Sequence, residues 1–294
     1  MVLIIDGQEV TAPIPVSSLH NTFQLLKANS LSLLSRAQRQ VSAEEKCVYV
    51  AQREVAVAGM DDSMELLGSE DATTCHIVIL RDTNTGTTGL AHLDEPEPEQ
   101  FLALEREVRD RSGVRSVTRE LESRDYQVSL LGGYEDEQST SEDITDTLLN
   151  VMQALKATFR LEIAIIGKIN TFIKDGLAWP RVYGGGVVLR TGEIFCGKFS
   201  YHGPDTDIRA LRINSGGHNL HNIYDSLSGQ IIIQPFKFSV LPDAHLLLRR
   251  ADSFLLRYCS TSPLVEPPDF CQNLRCSSPG EGSPLTSSVT PGPS

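Results

Sequence analysis

Hydrophobic and polar positions change period several times along this chain, and each change predicts an element. Residues 3–5, with Val10, read as a short strand pair. Leu19, Phe23 and Leu26 fall at helical spacing, which predicts a helix over 17–40. β-branched alternation predicts one long strand over 47–58 and a shorter one over 64–67. Phe101, Leu104 and Val108 mark an acidic amphipathic helix, and 126–131 reads as a strand ending at Gly132-Gly133. Ser139-Thr140-Ser141-Glu142 has the form of a capping box, followed by Ile144, Leu148, Met152 and Leu155 on one helical face. Residues 161–166 read as a buried strand. The second half reads mostly as hairpins, 183–189 with 193–199 around Thr191-Gly192 and 219–224 with 230–236 around Ser228-Gly229. A helix carrying Leu247, Ala251, Phe254, Leu255 and Tyr258 follows them. From 277 onward nearly every residue is Ser, Pro, Gly or Thr, a composition that predicts disorder. The expected fold class is α+β, with stacked, largely antiparallel β-sheets and helices packed on an outer face. The expected organisation is a single domain over 1–270 and a low-complexity tail over 271–294.

One predicted hairpin carries chemistry. The apolar run Ile77-Val78-Ile79-Leu80 and the segment Gly89-Leu90-Ala91-His92 flank the turn-rich Asp82-Thr83-Asn84-Thr85-Gly86. If Leu80 faces Thr87, the same register sets Cys75 opposite His92, within reach for a thiol to pass its proton to an imidazole. His76 then points to the other face. A slip by one residue would reverse these assignments. Spacing leaves open a plainer reading, in which Cys75 is a buried core cysteine and His92 a hydrogen-bonded strand histidine.

Composition narrows the classes of function. The formal net charge is −12, of which −10 lies between Asp94 and Asp146, where 16 acids face 6 arginines. Such a chain is a poor match to phosphate backbones, which argues against nucleic acid, and its acidic amphipathic helices argue against membrane docking. Cysteines at 47, 75, 196, 259, 271 and 276 show no disulfide or metal spacing, so a reducing cytosolic or nuclear compartment is expected, with Cys75 a free thiol. The start lacks the basic, long apolar character of a signal peptide. His218 and His221 are a weak metal pair, and Gly184-Gly185-Gly186 lacks the following Lys-Ser/Thr of a phosphate loop, so close strand packing is expected there. No metal or other cofactor is expected.

Several segments, in order along the chain, carry a family likeness. The run Leu67-Gly68-Ser69-Glu70-Asp71-Ala72-Thr73-Thr74-Cys75-His76-Ile77-Val78 resembles the nucleophile segment of the protein N-terminal asparagine amidohydrolases. Val48-Tyr49-Val50-Ala51-Gln52-Arg53-Glu54, Ile223-Tyr224-Asp225 and Ser260-Thr261-Ser262-Pro263-Leu264-Val265-Glu266-Pro267-Pro268 resemble further segments of that family. The Cys–His spacing is also similar to that of bacterial chemotaxis-receptor glutamine deamidases. Between Lys168 and Pro180 the chain is less acidic than the family pattern, and after Phe270 it departs from it.

The resemblance implies a nucleophile at Cys75 and a partner base at His92. It implies removal of the side-chain amide of an N-terminal asparagine through a thioester. The resulting N-terminal aspartate would be arginylated and lead to ubiquitin-dependent proteolysis. An imidazolium at His92 would favour the thiolate. Asp94, Ser69 and Ser262 are candidates to orient His92, and Thr74, with its neighbours in 71–75, to supply oxyanion donors. Asp71 and Glu266 are candidates to read the α-ammonium, with Tyr49 as a wall of the substrate pocket. The expected partners are proteins or peptides beginning with asparagine, and a monomer is expected. A glutamine or internal-asparagine deamidase, and a module that binds N-degrons without turning them over, remain the competing readings.

Overall fold

The computed structural model describes residues 2–114, 124–213 and 218–236. In chain order the elements are β1 (Val2–Ile5), β2 (Gln8–Val10), α1 (Val16–Thr22), α2 (Gln24–Leu34), β3 (Arg39–Val41), β4 (Cys47–Tyr49), β5 (Glu54–Ala58), β6 (Leu66–Ser69), β7 (His76–Asp82) and β8 (Thr88–Leu93). They continue with α3 (Pro98–Val114), β9 (Asp125–Gly132), α4 (Thr140–Ala154), β10 (Thr158–Ile165), α5 (Gly167–Asn170), β11 (Thr171–Lys174), β12 (Leu177–Pro180), β13 (Gly185–Val188) and β14 (Ile194–Phe199). The last are α6 (Thr206–Ile213), β15 (His221–Asn222), β16 (Tyr224–Asp225) and β17 (Gln230–Ile231).

Two sheets dominate. The larger runs β15-β5-β8-β7-β9-β10-β1-β2 and the smaller β3-β14-β13-β6-β4. One face of the large sheet buries Val78, Leu80, Val128 and Phe159 against Leu19, Leu26, Phe101, Leu104, Ile144 and Leu148 of the helices. Its other face buries Ala56, Ile77, Ile79, Leu90 and Leu131 against Val48, Leu67, Val187 and Cys196 of the small sheet. The α+β reading, with stacked sheets and helices on an outer face, is therefore the observed one. Central pairings of the large sheet are antiparallel, whereas β9, β10 and β1 run parallel because α4 carries the chain back across the sheet from β9 to β10.

Local chemistry redraws several expected boundaries. The helix expected over 17–40 breaks at Phe23, whose φ of −108° and ψ of 97° are extended. The Asp6 carboxylate, from the β1–β2 turn, accepts the N–H groups of Leu25 and Leu26 at 2.8 and 2.7 Å and so starts α2 afresh. The single strand expected over 47–58 is two strands in different sheets, because Arg53 turns the chain at φ 61°. Ser139 makes no side-chain cap; Asp136 accepts the N–H groups of Thr140 and Ser141 at 3.0 and 2.9 Å instead. The triple glycine behaves as close strand packing requires: a Cβ on Gly186 would lie 2.2 Å from the Leu67 carbonyl oxygen. The helix expected over 247–258 and the tail lie outside the described residues.

Candidate active site

The β7–β8 hairpin forms with a longer connection than its turn residues suggest. Asp82 caps the loop by accepting the N–H groups of Asn84 and Thr85, and Leu80 pairs with Gly89 rather than Thr87. The register is shifted by two positions, so Ile77 faces His92 and His76 faces Leu93. An even shift keeps every side chain on its expected face. Cys75, immediately before β7, thus shares the inter-sheet face with His92 as its diagonal neighbour, at roughly 7 Å between Cβ atoms for such pairs. Continuing the ladder by one pair sets Cys75 opposite Asp94. His76 points the other way as expected: its Nε2–H donates to Thr145 Oγ1 at 2.8 Å, since the Thr145 hydroxyl proton is committed to the Ser141 carbonyl.

The nucleophile segment closes over two glycines. Gly132 ends β9 with φ 93°, and a Cβ there would lie 2.7 Å from the Cys75 carbonyl oxygen and 2.8 Å from that of Ala72. Gly133, at φ 63°, leaves room for the His76 ring and Ser141. Ala72 donates its N–H to the Tyr183 carbonyl at 2.9 Å, and Asp71 adopts φ 66°, so the loop before Cys75 is held from both sheets.

His92 is buried within the sandwich. Its Nδ1 is hydrogen-bonded at 2.9 Å to Ser69 Oγ, which projects from the small sheet across the gap. Its Nε2 is buried and has no hydrogen-bond partner among the described residues. An orphaned buried ring nitrogen costs about 1–3 kcal/mol, a cost retained at a position that shares a face with a cysteine. Of the candidates to orient the ring, Ser69 is the one hydrogen-bonded to it. Asp94 is not, because its oxygens receive Gln52 Nε2 at 2.8 Å, Arg53 Nε at 2.6 Å and Gln100 Nε2 at 3.1 Å.

Burial sets the protonation states. Desolvation first, and the Asp94 charge second, push the Cys75 thiol up to about 12, against smaller opposing pulls from the Thr74 hydroxyl, the Cys75 N–H and Arg53. Desolvation pushes His92 down to about 4, with Asp94 pulling weakly upward. The expected thiolate–imidazolium pair is therefore not the resting state: at neutral pH both groups are uncharged.

A second buried charge system borders His92. Glu54 stands beside His92 in the β5–β8 ladder, one pair beyond Val55 and Ala91. Its carboxylate receives Arg209 Nε at 3.0 Å and Nη2 at 2.6 Å, and Arg209 also donates to the Tyr49 carbonyl at 2.8 Å. Tyr49 itself lies in the cluster on the outer face of the small sheet, stacked on His202 at 4.4 Å and edge-on to Phe199 at 5.5 Å. Its ring and the His92–Cys75 pair are thus on opposite faces of that sheet, and its hydroxyl feels Glu70 and Asp71 of the segment that leads to Cys75. Asp71 is exposed on the nucleophile loop; Ser262 and Glu266 lie outside the described residues. His218 contacts Glu95 whereas His221 pairs with Glu54 in the sheet, and among the described residues no three His, Cys, Asp or Glu side chains converge as a metal set.

With this geometry in view, comparison with known proteins is decisive. Residues 37–278 match the family model described as protein N-terminal asparagine amidohydrolase. This chain belongs to that family. The chain is 33% identical to the protein N-terminal asparagine amidohydrolase of Mus musculus over 276 residues, covering 94% of this chain and 87% of that protein. The Homo sapiens protein of that name is 31% identical over the same shares, and that of Arabidopsis thaliana 26% identical over 89% of this chain and 80% of its own length. The amidohydrolase match runs past Phe270, to residue 278, further than the motif likeness alone reaches.

Proposed function

We propose that this chain hydrolyses the side-chain amide of asparagine at the N-terminus of a protein or peptide, with Cys75 as nucleophile and His92 as base. Family membership supports the substrate. The observation that carries the chemistry is His92, held at Nδ1 by Ser69 and left unpartnered at a buried Nε2 on the face it shares with Cys75.

Because thiol and imidazole rest neutral, the proton moves as the bond forms. Cys75 sulfur attacks the carboxamide carbon, its proton passes to His92 Nε2, and the carbonyl oxygen takes up the electron pair as an oxyanion. The Cys75 N–H and the Thr74 hydroxyl, already the groups that favour negative charge at this position, receive the oxyanion. The intermediate collapses, the C–N bond breaks, and the imidazolium protonates the departing nitrogen to give ammonia and a thioester. Water then attacks the thioester, His92 takes one of its protons, and the thiolate leaves and is reprotonated. The product is an N-terminal aspartate, a substrate for arginylation and for the N-degron route to ubiquitin-dependent proteolysis. No described helix is long and apolar enough to cross a membrane.

Matched peptides beginning Asn, Gln and Ala-Asn test the reading through ammonia release. Release from Asn alone, lost in Cys75→Ala while peptide binding persists, is the expected result. Equal release from Ala-Asn overturns the N-terminal requirement, and equal release by Cys75→Ala overturns the nucleophile.

A further inference from the structure

The site described so far explains how an amide is opened but not how a free N-terminus is demanded. In asparagine the α-nitrogen lies two carbons from the carboxamide carbon, so an α-ammonium must sit within a few ångströms of the attacking sulfur. A carboxylate beside Cys75 is therefore required, on the face that holds His92. The exposed Asp71 is on the loop, and Tyr49 is on the wrong face of the small sheet.

Asp94 meets the requirement. The β7–β8 register continues from His76–Leu93 to Cys75–Asp94, and the alternation of β8 puts residue 94 on the face of residue 92. Its side chain is only 4% exposed, yet it is fixed, gripped by Gln52, Arg53 and Gln100. Arg53 does not neutralise this corner alone, since its guanidinium is divided between Asp94 and Glu95. We propose that Asp94, anchored by Arg53, Gln52 and Gln100, is the group that reads the substrate's α-ammonium; the assignment rests on the amidohydrolase reading above.

The arrangement couples specificity to reactivity. Before substrate binds, burial first and the Asp94 charge second hold the thiol in its neutral form, and Arg53, bonded to Asp94, opposes them more weakly. An α-ammonium seated against Asp94 cancels that charge just where negative charge must develop on sulfur. A substrate lacking the ammonium, such as an internal asparagine, gains no pairing and leaves the thiol opposed by a carboxylate whose charge Arg53, shared with Glu95, offsets only in part. Rejection of blocked or internal asparagine thus needs no steric wall. It is the same charge acting with opposite sign on two substrates.

The test compares an Asn-peptide with its deamino analogue, a succinamoyl-peptide that keeps the carboxamide and lacks the α-nitrogen. In the full-length wild-type chain the Asn-peptide should be strongly preferred in kcat/KM. Asp94→Asn should lose on the order of a hundredfold on the Asn-peptide while holding or gaining rate on the deamino analogue, so the preference collapses. A merely structural role would depress both substrates together, and a preserved ratio overturns the proposal. Should Asp94→Asn fold poorly, Asp94→Glu keeps the charge at Arg53 but moves it by a methylene. It should also narrow the preference, and an unchanged ratio there likewise overturns the assignment. Wild-type protein that releases no ammonia from the Asn-peptide refutes the amidohydrolase reading itself, a different outcome from an unaltered preference in an active enzyme.

Discussion

Ser69→Ala isolates the hydrogen bond that the described residues give to the His92 ring, the proposed base. The substitution removes a single oxygen from a fully buried side chain, so the cavity it leaves is far smaller than one made by a methylene group. What it removes is the 2.9 Å bond to His92 Nδ1. Nε2 already lacks a partner, so the variant buries an imidazole satisfied at neither nitrogen, a further loss of about 1–3 kcal/mol. At about 2–4 °C per kcal/mol for a domain of this size, Tm should fall by roughly 2–12 °C. The catalytic loss is separate. Without Ser69 neither the tautomer nor the plane of the ring is fixed, and kcat on the Asn-peptide should fall by about 10–100-fold, the usual effect of deleting a ligand's orienting partner, with KM nearly unchanged. Differential scanning calorimetry and steady-state ammonia release on the same preparation read the two losses. A variant with a lowered Tm and an intact kcat would refute the claim that Ser69 sets the base, leaving the bond a structural tie between the sheets.

Two further outcomes follow from the same geometry. His76 and His92 are both held down to about 4 by burial, below the ordinary imidazole value of 6.5. The unfolded chain therefore binds protons first as pH falls, and stability should be constant above about 6.5, decline between 6.5 and 4, and level off below, by up to roughly 3 kcal/mol per ring; urea midpoints at pH 7 and 4.5 measure it, and equal midpoints would contradict the burial argument. Gly132→Ala adds a Cβ 2.7 Å from the Cys75 carbonyl oxygen at a φ of 93°, so it should cost more than 1 kcal/mol in urea unfolding and lower kcat by shifting the nucleophile's backbone, whereas Gly113→Ala, which meets nothing within 4 Å, should leave kcat unchanged.

Much of this was legible in the chain because period and polarity agree where packing is simple. The hairpin carrying Cys75 and His92, the α3 stripe of Phe101, Leu104 and Val108, and the opposite facing of His76 all follow from alternation alone. The register did not, because Asp82 folds its carboxylate back over the turn and lengthens the connection. An even slip left the faces correct, so the pairing was wrong while Cys75 and His92 still share a face. Helix α6 stayed hidden for a different reason: the side chains it buries are Arg209 and Arg212, so no apolar period announces it. Glu54 lay within a family-like segment, but its place beside His92 depends on the turn at Arg53, a left-handed residue that no glycine or asparagine signals. Tyr49 was drawn toward the pocket by that same segment, and only the pairing of β4 with β6 shows that its ring goes outward.

The oxygen that steadies the imidazole and the ring it steadies belong to different layers. Thiol and ring travel together on one ribbon, β7 with β8, and an excised copy of that ribbon would keep both while losing the brace. Under the proposed mechanism, reactivity is accordingly a property of two layers closed on each other, and any partner, stress or substitution that parts them should weaken the site while thiol and ring stay on their ribbon.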